Sequence, residues 1–306
     1  MRPHLLHFLL VAAVLAPASA AAADPAGIAR QEARLATIGW RLTSGGARWC
    51  PEVTPQPGWI LGDLRRFDKR QRAAAKLAYG TSGDGPFVAA MAPGSPADRA
   101  GLVRGTAIAA IDGQPVPTFG DGPTVRIDAV QVMLAAREPS APLTVTDAGG
   151  RRYELGASAG CASGFRIERS GKQAAANGKL VRLALRLAAS VVADDELAAV
   201  VAHELAHNVL RHPAQLAASR STDLVRRTEI EADRLSVWLL ADAGYDPRAA
   251  IRFWERHKKP LIRATTHPPR RERIAAIAAE IEAMTAARSA DPAARPPLVA
   301  ALAPLE

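Results

Sequence analysis

The apolar positions of this chain follow a helical period, then short runs broken by turns, then a helical period again. Asp24-Pro25 reads as an N-cap followed by proline at the first helical position. Ile28, Leu35, Ile38 and Leu42 then recur at helical spacing, and Ser44-Gly45-Gly46 ends the pattern. Residues 51–60 carry Pro51, Pro55, Pro57 and Gly58 and read as loop, and 67–79 reads as a further helix.

Between 80 and 157 the pattern shortens. Apolar runs at 87–91 and 106–111 predict strands, and Ser95-Pro96 starts a short helix that Gly101 can end. Asp112-Gly113 is a hairpin signal. Asp128 can cap a helix to about residue 137, and 143–146 and 152–155 are strands around a turn. From 165 to 288 the helical pattern returns. Residues 172–178 read as a polar loop and 179–187 as an edge strand or helix entrance. Asp194 or Asp195 caps a helix to about 211, and Asp223 caps the next, which Gly244 ends. Asp246-Pro247 and Pro268 start two more, and the Ala/Pro-rich stretch 289–306 reads as a mobile tail. The expected fold class is α+β: segment 24–79, a small β-rich domain at 80–157, and a mainly helical domain at 165–288.

Residues 1–23 read as a cleavable signal peptide, with Arg2, a short apolar run and small residues at 18–23. The run from 180 to 202 is broken by Arg182, Arg186, Asp194, Asp195 and Glu196, so no integral span is expected in the mature chain. An exported, periplasmic protein is the expectation. Net charge is +9, but its cations are scattered and no aromatic-interleaved basic motif occurs, which argues against nucleic acid as partner. The two cysteines, Cys50 and Cys161, lack a CxxC partner or a neighbouring His. In an exported chain they suit a disulfide closing a loop of about 110 residues.

The chemistry concentrates at His203-Glu204-Leu205-Ala206-His207. Residues four apart on a helix are displaced by about 40°, so both imidazoles can reach one ion, while Glu204 lies about 100° round, placed as a general base toward water. Catalytic zinc takes three protein ligands, so a third must come from elsewhere. Glu229 and Asp233 share a face of the next helix, and Glu231, about 200° from Glu229, points away. Glu229 is therefore the expected ligand, and Asp233 the acceptor that orients a ligand imidazole. On a continuous helix His212 lies about 140° round from His207. Near the helix C-terminus it reads as a structural, partly positive His. Trp238 and Trp254 read as core.

Two resemblances follow. Residues 92–102, APGSPADRAGL, with 108–116, IAAIDGQPV, resemble a bacterial PDZ domain, with Gly105-Thr106 where Gly-Asp is usual and Gly83-Asp84-Gly85-Pro86-Phe87 as a loose match to the carboxylate-binding loop. That resemblance implies a groove taking an extended peptide as an added strand. The run DELAAVVAHELAHNVLRH with Glu229-xxx-Asp233 resembles the gluzincin peptidases of the CAAX-prenyl-protease and HtpX type, most closely their soluble exported branch. It implies one Zn2+ per chain, polypeptide substrates and a role in envelope protein quality control. Thr266-His267-Pro268 is similar to a His-Pro motif of that branch, which implies His267 as a removable fourth ligand or plug. The alternative is a latent or non-catalytic peptide-binding, chaperone-like protein, and the presence of Glu204 argues against it.

Overall fold

A computed structural model describes residues 24–257 and 267–302; the leader expected at 1–23 lies outside them. Helix α1 (Pro25–Gly46) begins where Asp24 accepts from the Ala26 and Gly27 amides, and runs one turn beyond Leu42. Its apolar stripe, Ile28, Leu35, Ile38 and Leu42, is fully buried in the larger of two cores.

The chain then forms β1 (Val53–Pro55) and β2 (Trp59–Gly62). Two 3-10 turns, Leu64–Arg66 and Lys69–Gln71, precede α2 (Arg72–Tyr79). The helix expected from 67 thus starts later, because Asp68 is extended and interrupts it. Next come β3 (Phe87–Met91), α3 (Pro96–Arg99), β4 (Ile108–Ile111), β5 (Gln114–Pro115), α4 (Val125–Ala135), β6 (Leu143–Asp147) and β7 (Arg152–Leu155). Asp112 and Gly113 both take positive φ in the β4–β5 turn, as a two-residue hairpin requires. Asp128 does not cap α4; it sits in the first turn and accepts from the Thr124 hydroxyl.

These strands and α4 enclose a second core of Val88, Ile111, Val130, Val145 and Leu155. That core also takes in Trp59 and Leu61, because β2 pairs antiparallel with β3. The small unit therefore reaches back past residue 80, while α1 belongs to the larger core. Between β2 and α4 only 30 Å³ remains open, lined by Trp59, Leu61, Gln131 and Leu134 and by Gly164, Phe165 and Arg166 of the larger unit. Arg166 ion-pairs with Asp128 on α4. The strand into which residues 83–87 lead, β3, is already paired along one edge with β2.

The remaining strands are β8 (Ala159–Cys161), β9 (Gly164–Glu168), β10 (Ala174–Ala176) and β11 (Leu180–Ala184). After them run α5 (Leu185–Ser190), α6 (Asp194–Val209), α7 (His212–Ala218), α8 (Thr222–Asp242), α9 (Ala249–Arg256), α10 (Arg270–Ala290) and α11 (Pro297–Ala300). Residues 172–178, expected as loop, contain β10, and β11 is central in the sheet order β10-β11-β9. Ala193, not an aspartate, is the N-cap residue of α6, and Ser221 rather than Asp223 caps α8. The tail expected to be mobile is helical to Ala290, and Ala294, Leu298, Val299 and Leu302 pack on the larger core. Residues 303–306 lie outside the described residues.

Cys50 and Cys161 form a disulfide across 111 positions, with Cα atoms 5.3 Å apart, tying the end of α1 to β8. Closing so long a loop contributes about 4–5 kcal/mol in the chain-entropy model. Buried Glu32 on α1 accepts from Arg66 Nη1 and Tyr79 Oη, each at 2.7 Å, and Arg66 donates to the Ile167 carbonyl at 2.6 Å. Arg126 on α4 grips buried Asp63 with two 2.7 Å hydrogen bonds. The Glu32 network lies within the larger unit, whereas Arg126 ties α4 to the turn that follows β2.

Candidate metal centre

Helix α6 passes through the larger core, and Leu197, Ala198, Val201, Ala202 and Leu205 are fully buried. Asp194, Asp195 and Glu196 in its first turn complement the helix dipole. This fixed helix presents His203 and His207, one turn apart, with Nε2 atoms 3.2 Å from each other. Helix α8 packs against it and brings Glu229 in. Glu229 Oε2 lies 3.5 Å from His203 Nε2, and Oε1 lies 3.6 Å from His207 Nε2.

Four ligands set tetrahedrally around zinc at about 2.0–2.1 Å stand about 3.3–3.4 Å from one another. The two imidazole nitrogens stand close to that spacing, Glu229 approaches them through different oxygens, and one ligand atom from each of the three residues lies within 4.8 Å of the others; two imidazoles with a carboxylate form a zinc donor set. Among the described residues this is the one group of three or more His, Cys, Asp or Glu gathered closely enough to hold an ion. The residues present therefore fit the group that the sequence implies.

The surroundings orient the donors. Asp233, one turn along α8, faces His203, with Oδ1 3.1 Å from Nδ1. His267 reaches Glu229, its Nδ1 3.6 Å from Oε1, but is outside the group of three. Glu231 points away from the centre as expected, yet it accepts from buried His212.

His212 departs from its expected setting. Helix α6 ends at Val209, Arg211 turns left-handed with φ +58°, and His212 opens α7 with its Nδ1 3.0 Å from His207 Nδ1. Burial, helped by the charge of His203, lowers its pKa to about 4, so it is neutral rather than partly positive.

Arg273 was not anticipated. It donates to Asp233 from Nε at 2.6 Å and from Nη2 at 2.7 Å, meets Glu229 at 3.2 Å and stacks 4.1 Å above the Trp254 ring. Trp254 accordingly lines the site cavity instead of serving only as core. One signal was available in the sequence. Arg273 shares the buried stripe of α10 with Ile277, Glu280, Ile281 and Met284, so a cation lay where apolar residues were due.

The cavity measures 1120 Å³. Glu204 lines it beside the two histidines, and Ala174 and Ala176 of β10 form one wall. Leu187, Val200, Phe253 and Trp254 make another part of the lining apolar. Burial, with the nearby Glu229 charge, pushes the Glu204 carboxyl up to about 7 although His203 opposes this.

Burial and Arg273 press the His203 imidazolium down, but its hydrogen bonds to Asp233 and Glu229 together leave it raised to about 9. Burial and the His203 charge hold His207 well below its ordinary value. Glu229 stays far below the carboxylate range: burial raises it, but hydrogen bonds from His203 and His267 and the charges of His203 and Arg273 outweigh that. Metal-free protein thus carries one proton, on His203, that an ion must displace. The apparent zinc association constant is expected to rise about tenfold per pH unit up to about pH 9 and then level off. Chelator competition at stepped pH checks this, and a flat profile between pH 7 and 9 contradicts it.

Two helix-borne histidines, a carboxylate from the neighbouring helix and a free glutamate in a long cleft define the constellation of a metallopeptidase. Residues 173–225 and 214–281 match the model of Peptidase family M48. Mitochondrial metalloendopeptidase OMA1 of Schizosaccharomyces pombe is 34% identical to this chain over 120 residues, a match covering 28% of the chain and 36% of that protein. The match thus spans about a third of that relative's length. Both findings support a metallopeptidase, and the family segment contains His203, Glu204, His207, Glu229, Asp233, His267 and Arg273. Among the described residues no helix is long and apolar enough to cross a membrane.

Proposed function

We propose that the chain is a zinc endopeptidase of the soluble HtpX-like type that cleaves exported polypeptides in the cell envelope as part of protein quality control. The observation that carries this reading is the gathering of His203, His207 and Glu229, one ligand atom from each within 4.8 Å of the others, with Glu204 beside them in the same cleft. His203 Nε2, His207 Nε2 and a Glu229 oxygen would hold the ion. Bound zinc supplies a Lewis acid that polarises the scissile carbonyl and makes water acidic enough to deprotonate near neutral pH.

The chain's own groups do the rest. Glu204, lining the cleft beside the two histidines, takes the proton of the attacking water and delivers it to the leaving amine. Strand β10 is the edge of its sheet, and its backbone can pair with an extended substrate laid along the cleft. The Cys50–Cys161 disulfide fits an oxidising, extracytoplasmic compartment, in keeping with the signal peptide read at 1–23. Peptide selection by the PDZ-like unit fits less well, because β3, the strand into which residues 83–87 lead, is already paired along one edge with β2.

His267 beside Glu229 supports latency as part of this reading, with its imidazole blocking the substrate's approach until displaced. His267→Ala is expected to raise peptidase activity several-fold at unchanged zinc content. Equal activity in both proteins removes the latch.

The test of the whole reading is zinc content by elemental analysis together with cleavage of casein and quenched peptides. One zinc per chain is expected, with hydrolysis lost to a chelator and restored by zinc. Stoichiometric zinc without cleavage of any library peptide would favour the chaperone-like alternative.

A further inference from the structure

The hydrogen-bond geometry places His212 in the chemistry of the site, as the group that sets the tautomer of His207. The backbone detour that brings it there is costly. Were α6 to run on, position 212 would lie about 140° round the axis from His207. The left-handed turn at Arg211 redirects the chain and seats the His212 ring against that of His207. Arg211 and Asp112 are the non-glycine residues with positive φ among those described, and Asp112 is accounted for by its hairpin. A left-handed non-glycine residue costs of order 1 kcal/mol or more and persists where the surrounding structure requires it.

One arrangement of protons along this contact leaves His207 Nε2 free for an ion. Glu231 Oε2 lies 3.1 Å from His212 Nε2, and a carboxylate can only accept, so the His212 proton sits on Nε2. For His207 to hold an ion through Nε2, its proton has to sit on Nδ1, and His212 Nδ1, 3.0 Å away, is the acceptor placed for it. His207 Nε2 is the atom facing His203 Nε2 and Glu229. Each ligand imidazole thus has its own carboxylate: Asp233 holds His203 directly, and Glu231 holds His207 through His212.

We propose that His212, anchored by Glu231, is a positioning residue that fixes His207 as the Nδ1–H tautomer and so readies its Nε2 for the metal. The inference rests on the reading of His203, His207 and Glu229 as metal ligands. A partner of this kind, when removed, typically costs 10–100-fold in metal affinity.

The test is zinc affinity by chelator competition, with zinc alone as the probe, for wild type, His212→Ala, His212→Asn and Glu231→Gln. Circular dichroism checks that each is folded. The alanine variant is expected to bind zinc about 10–100-fold more weakly. Asparagine, whose Oδ1 can accept from His207 Nδ1–H, is expected to recover most of that loss. A folded alanine variant that binds as tightly as wild type overturns the proposal, and so does an asparagine variant no tighter than alanine.

Should the alanine variant not fold, Glu231→Gln decides. Glu231 is partly exposed and the change is isosteric. In the zinc-loaded protein the imidazole N–H proton resonances of His212 and His207 are expected to shift while that of His203 does not. Unmoved resonances with unchanged affinity overturn the proposal. Wild type that binds no zinc refutes the metal reading itself; tight wild-type binding with indifferent variants refutes the positioning role alone.

Discussion

Glu204→Gln is expected to lower kcat for peptide hydrolysis by about 10²–10⁴-fold while the protein still binds one zinc. The side chain lies between the two histidines in sequence but about 100° round the helix from His203, so it contributes no ligand to the group of three. Removing its charge therefore leaves the ion in place. What disappears is the proton acceptor for water and the donor for the leaving amine, and glutamine can serve as neither. In the metal-free protein burial pushes the carboxyl up to about 7, and the charge of a bound ion pulls it back toward the ionised form that accepts the water proton. The measurement is kcat and KM on a quenched peptide together with zinc stoichiometry. KM should change little, because glutamine keeps the shape of the cleft. A variant retaining a tenth or more of wild-type kcat would remove Glu204 from the proton-transfer role.

The sequence made the heart of the site legible and left its surroundings obscure, for a physical reason. His203, His207, Glu229 and Asp233 are related by helical spacing within α6 and within α8, and that geometry is local. Choosing Glu229 over Glu231 needed only the 3.6-residue period, and the two residues do point to different partners. His212 was misjudged because the period was carried past the real end of α6. No glycine or proline precedes the break; the left-handed residue is Arg211, and nothing in its chemistry announces that conformation. Strand β10 was missed because three alanines between polar residues show no alternation of apolar and polar residue types, and its strand character comes from pairing with β11. The extent of the small unit was misjudged for a related reason. Trp59 and Leu61 are far in sequence from the strands they pack on, and only the β2–β3 pairing joins them.

Arg273→Met is expected to destabilise the metal-free protein by about 3–5 kcal/mol, the usual cost of leaving a buried charge without its partner. Arg273 is itself almost fully buried and spans Asp233 and Glu229, both close to the ligand imidazoles. Removing its cation leaves these two carboxylates facing each other with His203 as the nearby positive group. Lost stacking on Trp254 adds a smaller term. If uncompensated charge is the main cost, a second change that removes charge should not worsen the first. Asp233→Asn in the Arg273→Met background is thus expected to cost nothing further or to recover stability. In the wild-type background the same change should destabilise, because Arg273 then loses its two short hydrogen bonds to a carboxylate. Urea unfolding of the four metal-free proteins gives the coupling directly. Additive losses from the two substitutions would mean that Arg273 stabilises the site by packing, and that the charge balance around Glu229 is set by other groups.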